Sequence, residues 1–520
     1  MAYTFPSHRS VTMALDGMVA TSQPLAAEAG LRVLQEGGNA IDAAVTAAAV
    51  LAVVEPLSNG LGGDVMALLY WGATGEVRAL DATGCTPRAA TPARISELSK
   101  GRPPAAGPLT VTVPGALHGW AALLQAYGTL TLEQALAPAI HYAERGFPVS
   151  EAAGRQWAQA SGKLRAHPQT AATYLAAGKA PRIGQVFAQP DLARTLREIA
   201  AGGPDVLYRG PLGERMAAYV QEQGGLLTVE DLVADESAWL APIELSYRGV
   251  RVLECPSDGQ GLVALQALGL LAGFDLPAMK WGFAEPLHRQ IEALKLASAD
   301  AQPSNGSDAP TAGRLDPAYL AGRRALIDPH GATPAPAPEL SASAADAACL
   351  TVVDREHNAI SLLQGLYEPF GSGLVVPGAG IILQSRRGAL SRGPGRRPYR
   401  TLCPALLLEG PQLWACLGLS GGLMQPQGQV QVICNLLDWG MDVQQALDAP
   451  RFRWTEGNTV AFETGLSHMS RLALEKLGYE VKTNADPTTL GGGQIIRIDC
   501  ETGVLQGGSD PRKDGCAIGY

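Results

Sequence analysis

Charged residues are scarce in this 520-residue chain, at 17%, and aromatic residues are scarcer still, at 6%. With 46% hydrophobic residues, this composition excludes a disordered chain and favours a large buried core. Acidic residues outnumber basic ones by 49 to 40, so the net charge is −9. An acidic chain without a basic stripe predicts no nucleic-acid or anionic-membrane partner. The one arginine-rich stretch is interpreted as a solvated loop and contains Arg386, Arg387, Arg392, Arg396 and Arg397.

Long apolar runs are also missing, since the run Ala43–Val54 has the length of a core helix and is too short for a membrane span. The first twenty residues show no charged start followed by an apolar segment, so no secretory signal is expected. The eight cysteines are scattered and form no Cys-x-x-Cys pair. They are interpreted as mostly buried thiols in a reducing compartment, which predicts a cytoplasmic location.

Metal and cofactor motifs are absent as well. The eight histidines are isolated, and none belongs to a His-Glu-x-x-His or Cys/His ligand pattern, so no metal site is expected. The glycine-rich turn Ser58–Asp64 lacks the Gly-Lys-Ser/Thr ending of a phosphate loop, and no cofactor is predicted. Gly418–Gly422 matches a nucleophile elbow by spacing alone, without an Asp-then-His pair after it. Within it, Gly421 and Gly422 indicate either a tight turn or backbone N–H groups that hold an oxyanion.

Hydrophobic periodicity predicts helices mainly in the first part of the chain and strands mainly in the second. Helical patterns cover Ala40–Val54 and continue, with interruptions, to about Gln223, and Ile243–Glu254 alternates as a strand. The Pro- and Ala-rich segment Ala301–Pro338 is expected to be mostly irregular. Beyond it, short apolar strands are predicted at Cys349–Val353, Ala359–Leu363, Gly380–Gln384, Ala405–Leu408 and Leu413–Gly418. This order fits a layered sandwich of helices on stacked antiparallel sheets.

A series of motifs resembles the γ-glutamyltranspeptidase-like proteins over nearly the whole chain. Each motif is weak alone, and their order and spacing carry the resemblance. They are Gly17–Ala26, Gly37–Ala44, Val113–Gly115, Gly146–Val149, Gly224–Leu232, Tyr247–Gly249, Pro256–Gly261 and Asp510–Tyr520. The resemblance implies an N-terminal nucleophile (Ntn) hydrolase with an αββα fold. It also implies a large-subunit-like region 1–346, with a linker at about 301–338, and a small-subunit-like region 347–520, together forming one αββα unit.

Members of this family cut their own backbone before a threonine, which then supplies a hydroxyl nucleophile and an α-amine base. That threonine lies four residues before a strand of the type Thr351–Asp354, so Ala347 stands in its place here. A methyl group can neither attack nor be activated. The second hydroxyl of the family falls at Gly365, beside Gln364 and Tyr367, and Arg400 stands where relatives often have histidine.

The substrate side departs from the family as well. Thr83 stands where classical members have the arginine that clamps the substrate α-carboxylate, and the aspartate that holds the α-amine falls near Ala389. A small amide or acyl-amino substrate other than a γ-glutamyl compound is therefore expected, as in the amidase and cephalosporin-acylase-like branch. The residues assigned to the site are Ala347, Gly421 and Gly422 for catalysis, and Gln364, Gly365, Tyr367, Arg400 and Thr401 for substrate binding.

Three hypotheses remain open at this point. In the first, Ala347 is an engineered substitution that holds an amidohydrolase or acyltransferase precursor uncut. In the second, the protein is a natural pseudoenzyme that binds a small amide or acts beside an active paralogue. In the third, Cys349 serves as a displaced nucleophile, although its shift of roughly 6–7 Å along the strand favours a core thiol. A homo-oligomeric assembly is compatible with all three.

Overall fold

Two antiparallel sheets lie face to face in the computed structural model, which describes residues 9–102, 104, 106–256, 259–301, 311–333, 346–386, 393–465 and 467–520. The strands, in chain order, are β1 (Thr12–Ala14), β2 (Met18–Thr21), β3 (Asp64–Trp71), β4 (Glu76–Ala82), β5 (Phe147–Pro148), β6 (Val186–Phe187), β7 (Ala238–Leu240), β8 (Ile243–Tyr247), β9 (Val250–Glu254), β10 (Asp346–Val353), β11 (Ala359–Tyr367), β12 (Ala405–Glu409), β13 (Gln412–Ser420), β14 (Phe452–Glu456), β15 (Thr459–Phe462), β16 (Glu480–Lys482), β17 (Gly492–Ile498), β18 (Leu505–Ser509) and β19 (Cys516–Gly519).

Within the described residues each large sheet has seven strands. The first sheet runs in the order β1-β18-β17-β13-β12-β9-β8, and the second in the order β19-β2-β10-β11-β3-β4-β7. Both sheets combine strands from before and after residue 347, because β10 pairs with β2 and β12 pairs with β9. Two smaller sheets, β14-β15-β16 and β5-β6, lie outside this pair.

Alternation along the strands separates the hydrophobic core into layers. In β10, Ala347 and Cys349 pack between the two sheets, whereas Ala348 and Leu350 face the helices on the outer side. Ile496 and Leu406 of the first sheet complete the layer between the sheets. A one-residue slip of β10 would exchange the two faces, so the burial of both fixes its register.

Helices cover both outer faces of the sheet pair. They are α1 (Pro24–Gln35), α2 (Ala40–Val54), α3 (Pro92–Leu98), α4 (Ala116–Tyr127), α5 (Leu132–Arg145), α6 (Glu151–Arg165), α7 (Pro168–Tyr174), α8 (Pro190–Gly202), α9 (Asp205–Tyr208), α10 (Pro211–Glu222), α11 (Val229–Ala234), α12 (Gln260–Leu271), α13 (Ala284–Ala301), α14 (Pro317–Arg324), α15 (Met424–Leu437), α16 (Val443–Asp448) and α17 (His468–Lys476). No helix among the described residues is long and apolar enough to cross a membrane.

The alanine-rich α2 is buried along its whole length, as its lack of polar residues predicts. Its first turn is closed by a capping box, in which Asn39 accepts from the N–H of Asp42 and the Asp42 carboxylate accepts from the N–H of Asn39. Helices α1 and α2 pack on the second sheet, and α12, α13 and α15 pack on the first. The molecule is therefore the predicted αββα sandwich of stacked antiparallel sheets flanked by helices.

Two strand predictions need correction. The segment Ile243–Glu254 is a hairpin of β8 and β9 and not one strand, because Arg248 and Gly249 take positive φ angles of 52° and 87° and reverse the chain. Such a two-residue turn is the usual connection of paired strands. The segment Gly380–Gln384 forms only isolated bridges, from Ile382 to Val375 and from Leu383 to Gly62. Its neighbours are loops, so no ladder can extend along it.

The cysteines follow the predicted pattern of buried thiols within the described chain. Five are buried, and Cys255, Cys349 and Cys416 among them lie between the two sheets. Cys500 is exposed, and the remaining two are half-buried. Burial raises the pKa of the Cys349 thiol well above its ordinary value, so the thiol stays protonated and packs as a small apolar group.

Candidate active site

A small cavity opens where β10 begins and β11 ends. About 230 Å³ of space lies between its walls when the open solvent at its mouth is included. Its walls are formed by Ala347, Gly365, Tyr367, Arg386, Thr401, Leu402, Gly422 and Gln425. Five residues assigned to the site from the sequence therefore meet in one place: Ala347, Gly365, Tyr367, Thr401 and Gly422.

Antiparallel pairing of β10 with β11 brings the alanine to this cavity. The pairing has an irregularity between Asp346 and Ala348, so Ala347 sits at a local bulge at the start of the ladder. The Ala347 side chain is 4% exposed and contributes only a methyl group to the wall. No hydroxyl or thiol is present at this position.

Gly421 and Gly422 link the end of β13 to the start of α15. Their φ angles are 115° and 57°, a region that glycine enters without steric penalty. A Cβ on Gly421 would lie 2.7 Å from the Cα of Gly491, so the close approach of two backbones also requires glycine. Within the described chain, the N–H groups of both residues donate no hydrogen bond, while their carbonyls accept from Met424 and Gln425 in the first helical turn. Free N–H groups at a helix start can stabilise negative charge.

The end of β11 carries backbone strain at the cavity. Tyr367 has a φ of 73°, which is unfavourable for a residue with a large side chain. Backbone hydrogen bonds of the preceding residue, Leu366, stabilise this conformation. The Leu366 N–H donates to the Ser58 carbonyl, and the Leu366 carbonyl accepts from the N–H of Ser385. This arrangement places the Tyr367 ring in the cavity wall, where the Arg386 guanidinium lies 5.7 Å from the ring centre.

Arg386 is a cavity residue that the sequence reasoning missed. The interpretation of its arginine-rich stretch as a solvated loop is wrong at this residue, because Arg386 is 4% exposed and forms an ion pair with the fully buried Asp64. Its Nε donates to Asp64 Oδ2 at 2.7 Å, and its Nη2 donates to the same oxygen. Asp64 also accepts from the N–H of Gly84 and the amide of Gln384. The sequence did contain a signal for this pair. The glycine-rich turn leads Asp64 into the apolar strand β3, and a carboxylate buried there needs a positively charged partner. Arg387 and Arg392 lie outside the described residues.

The same guanidinium reaches one more wall residue, because Arg386 Nη1 donates to the Thr401 hydroxyl oxygen at 3.2 Å. The buried carboxylate of Asp64 balances the positive charge of Arg386. The cavity therefore presents hydrogen-bonding groups without a strong net charge.

Two residues assigned to substrate binding do not line the cavity. The first is Gln364, whose amide points into the helical layer, where it donates to the Ala48 carbonyl and to Asn59 and accepts from the indole of Trp120. Even-numbered residues of β11 face this layer, whereas Gly365 and Tyr367 face the cavity side. Gln364 therefore supports the strand from behind.

Arg400 is the second, and its Nε donates to Asp81 Oδ2 at 2.6 Å. Burial alone would raise the pKa of Asp81, but the guanidinium groups of Arg400 and Arg397 and hydrogen bonds from Thr83 outweigh it, so the pKa lies below its ordinary value. Thr83 stands where classical relatives have an arginine, and its hydroxyl donates to Asp81 Oδ1 at 2.6 Å. The position near Ala389 lies outside the described residues.

Cys349, the residue considered as a displaced nucleophile, is 1% exposed and does not line the cavity. A Cβ on Gly418 would lie 2.5 Å from its sulfur, so the thiol is packed tightly against β13. Among the described residues, no group of three or more His, Cys, Asp or Glu side chains is arranged to hold a metal ion.

The fold has two paired antiparallel sheets between two helical layers, and a cavity lies where a central strand begins. These features define the class of Ntn hydrolases. Comparison with known proteins agrees. A cephalosporin acylase from Bacillus halodurans superposes with a TM-score of 0.90 at 38% sequence identity, over 100% of this chain and 98% of that one.

The gamma-glutamyltranspeptidase family profile matches residues 26–520. A glutathione hydrolase-like YwrD proenzyme of Bacillus subtilis is 35% identical over 96% of this chain and 98% of its own length. An oxamate amidohydrolase proenzyme of Klebsiella pneumoniae is 34% identical over 98% of this chain and 100% of its own length. The chain belongs to the γ-glutamyltranspeptidase family.

Proposed function

We propose that this protein is an Ntn amide hydrolase or acyltransferase in an uncleaved form that lacks its nucleophile, built for a small amide other than a classical γ-glutamyl compound. The observation that carries the proposal is the methyl group of Ala347 in the wall of the cavity, beside Gly422 at the start of α15. In this geometry a residue with a hydroxyl at position 347 would face the N–H groups that can hold an oxyanion. With alanine there, neither self-cleavage nor acyl transfer can begin.

The walls suggest how an amide would be held. The N–H groups of Gly421 and Gly422 would receive the carbonyl oxygen as negative charge develops on it, and the positive end of α15 would add to that stabilisation. The Arg386 and Thr401 side chains would contact the acyl part. Because Asp64 neutralises Arg386, this contact favours a polar, weakly charged acyl group over a free amino acid carboxylate.

The names of the relatives cover more than one class of amide. An oxamate amidohydrolase and a cephalosporin acylase are named for amides other than γ-glutamyl compounds, whereas the YwrD relative is named for glutathione, which is a γ-glutamyl compound. The site residue Thr83 decides between them in this proposal, because it is engaged with Asp81 and offers no cation for an α-carboxylate. This favours a small amide of the acylase type.

A denaturing gel tests the proposal. The chain as it stands should migrate as one band at 54.2 kDa. The variant Ala347→Thr should yield fragments of about 36 and about 18 kDa, in proportion to the lengths on either side of residue 347, and should gain amidase activity on small amides. Ala347→Val is the matched control, because valine has nearly the shape of threonine without its hydroxyl. Cleavage in the valine variant, or two fragments in the original chain, would defeat the proposal.

The alternative is a natural pseudoenzyme that binds a small amide or acyl ligand, or acts beside an active paralogue. Gly365 at the place of the second family hydroxyl supports it, because more than one position of the cavity has lost a hydroxyl. A folded Ala347→Thr variant that neither cuts itself nor hydrolyses amides would favour this alternative. The pseudoenzyme should still bind small amides, and Ala347→Leu, which fills the cavity, should abolish that binding.

A further inference from the structure

A cluster of buried polar side chains lies on α13, which packs on the outer side of the first sheet. His288, Glu292 and Lys295 follow one another at helical spacings of four and three residues, so they share one face of α13. Tyr479, directly before β16, completes the cluster. None of the four residues is more than 4% exposed. Polar groups at this depth need hydrogen-bond partners, and the partners here join α13 to a surface loop.

Lys295 fixes one end of this loop, which consists of Asp328–Thr333. Its Nζ donates to Glu292 Oε1 at 2.7 Å and to Asn458 Oδ1 at 2.9 Å, and it also donates to the Thr333 carbonyl. An ammonium group has three N–H donors, so these three bonds use the charged form completely. The Thr333 N–H donates in turn to Glu292 Oε2 at 3.2 Å. The Thr333 end of the loop is therefore tied to α13 from both its donor and its acceptor.

The other end of the loop is held by a line of three short contacts. His288 Nε2 lies 2.7 Å from the Asp328 carbonyl oxygen, and His288 Nδ1 lies 2.8 Å from the Tyr479 hydroxyl oxygen. The same hydroxyl oxygen lies 2.7 Å from Glu292 Oε1. Contacts of this length are hydrogen bonds when each contains a proton. The line therefore needs three protons.

The ordinary protonation states bring only two protons to this line, because neutral histidine and tyrosine carry one each and an ionised glutamate carries none. The Asp328 carbonyl can only accept, so His288 must donate to it from Nε2. The Tyr479 hydroxyl then faces two acceptors, His288 Nδ1 and Glu292 Oε1, with a single proton. One added proton removes the conflict, since His288 then donates from both nitrogens and Tyr479 donates to Glu292.

Without the added proton one of the three contacts must open. The bond from Tyr479 to the Glu292 carboxylate is charge-assisted, and such bonds are stronger than neutral ones. It is kept when His288 donates from Nδ1 to Tyr479, which leaves the lone pair of Nε2 facing the Asp328 carbonyl. Two acceptors repel each other at 2.7 Å, and Asp328 is the exposed partner that can move away.

The groups around the imidazole set the pH at which the added proton enters. Burial lowers the pKa of His288 below its ordinary value of 6.5, and the positive charges of Arg289 and Lys295 act in the same direction. The Asp328 carbonyl and the Glu292 carboxylate oppose this fall. The proton is therefore taken up below pH 6.5.

We propose that this line of contacts is a pH-sensitive clasp. With the added proton it holds the Asp328 end of the loop against α13, and without the proton it releases that end. The Thr333 end stays fixed in both forms, because the three bonds of Lys295 do not depend on the added proton. The clasp is separate from the reaction proposed at Ala347.

Hydrogen–deuterium exchange of the full chain tests the clasp, when it is followed by mass spectrometry on the peptide that carries Asp328–Thr333. The rates are corrected for the pH dependence of exchange in an unstructured peptide. The corrected rate at the Asp328 end should be about tenfold higher at about pH 8 than at about pH 4.5, which is the effect of losing one hydrogen bond. The midpoint of the change should lie below pH 6.5. A corrected rate that stays constant over this range would overturn the proposal.

Variants then assign the change to the clasp. His288→Gln should make the corrected rate independent of pH, because an amide cannot take up the proton. His330→Gln is the matched control, since His330 is an exposed histidine of the same loop and its removal should leave the pH dependence intact.

Tyr479→Phe provides a second variant should His288→Gln fail to fold. Without the hydroxyl, His288 can donate from Nε2 to Asp328 at every pH, so the loop should stay protected throughout. A pH dependence that persists in full in a folded His288 or Tyr479 variant, or that disappears in His330→Gln, would contradict the assignment.

Discussion

The ion pair of Asp64 and Arg386 holds one wall of the candidate cavity. Asp64 is fully buried, and its carboxylate accepts four hydrogen bonds, two from Arg386 and one each from Gly84 and Gln384. At this depth the pair is not chiefly a source of stability, because desolvation offsets most of the attraction. Its consequence is that neither partner can be removed alone.

The variant Arg386→Met should therefore lower the free energy of unfolding by about 3–5 kcal/mol, since it leaves Asp64 charged and unpaired in the interior. Urea unfolding followed by circular dichroism measures the loss. Arg355→Met is the control, because the Arg355–Asp16 pair is 63% and 45% exposed and should contribute at most about 1 kcal/mol. The double variant Asp64→Asn with Arg386→Met should recover part of the loss. A single Arg386→Met variant as stable as the original chain would contradict this account of the pair.

Asp235 provides a prediction about pH. Burial raises its pKa from 3.8 to about 6. Two effects oppose this rise: the positive charge of Arg397, and the hydrogen bond of 3.1 Å that the Cys85 N–H donates to Asp235 Oδ1. A raised pKa means that the folded protein binds the proton more tightly than the unfolded chain. The contribution to stability is therefore full below about pH 4 and is lost as pH rises through about 6.

Asp235→Asn should remove this dependence, because an amide stays neutral and still accepts from Cys85. At pH 7 the variant should be more stable than the original chain by roughly 3 kcal/mol, which is the value of a shift of about two pKa units. Unfolding midpoints between pH 4 and pH 7 test it, with Glu480→Gln at an exposed site as the control. Parallel pH profiles for the original chain and Asp235→Asn would rule out the shift.

At this scale the sequence predicted the cavity residues that belong to local motifs and missed those that depend on long-range pairing. Ala347 was found through the family resemblance, by counting back from the strand at Thr351, and Gly422 through the paired glycines that precede a helix. Arg386 was missed because its partner, Asp64, is 322 residues away. Arg400 was assigned to the cavity, and only the folded chain shows its guanidinium turned to Asp81.

In the hairpin of β8 and β9, the conformation of the turn depends on one residue, Gly249. Gly249 has a φ of 87°, and a Cβ added to it would meet nothing within 4 Å, so contacts with neighbours cannot explain the glycine. Its backbone conformation does, since left-handed angles are unfavourable for residues with a Cβ by about 1–2 kcal/mol. This turn is the reason why one predicted strand became two.

Gly249→Ala should therefore lower the free energy of unfolding by about 1–2 kcal/mol. Gly162 is the matched control, because it is exposed within α6 and likewise has open space around it, but without a positive φ. Gly162→Ala should raise stability by about 0.5–1 kcal/mol. Thermal melts of the two variants should move in opposite directions, and a shift in the same direction would refute the backbone explanation.

Helix bounds were predicted better than strand bounds. The predicted Ala40–Val54 is the observed α2 residue for residue, because Asn39 caps it and its composition changes sharply at both ends. Gly380–Gln384 has the apolar composition of a strand, but it bridges only to single loop residues, Val375 close by and Gly62 far along the chain. Local capping can be read from neighbouring residues, and strand pairing cannot.

The whole molecule depends on strands from both sides of residue 347. Since β10 and β11 lie between β2 and β3, neither region closes its own sheet. Fragments 1–346 and 347–520 should each fail to fold when expressed alone, because each would expose sheet edges and half of the core. Co-expression should restore a soluble complex, as judged by size-exclusion chromatography and circular dichroism. A fragment that folds alone would contradict this account.

The buried cysteines can report how often the two sheets separate. Cys255, Cys349 and Cys416 lie between the sheets, and burial raises the pKa of each thiol, so a thiol reagent in solution reaches them only when the sheets part. Exposed Cys500 would react at once and mark the start of the measurement. With Cys85, Cys403, Cys434 and Cys516 replaced by serine, the slower uptake of reagent then reports how often the sandwich opens under native conditions.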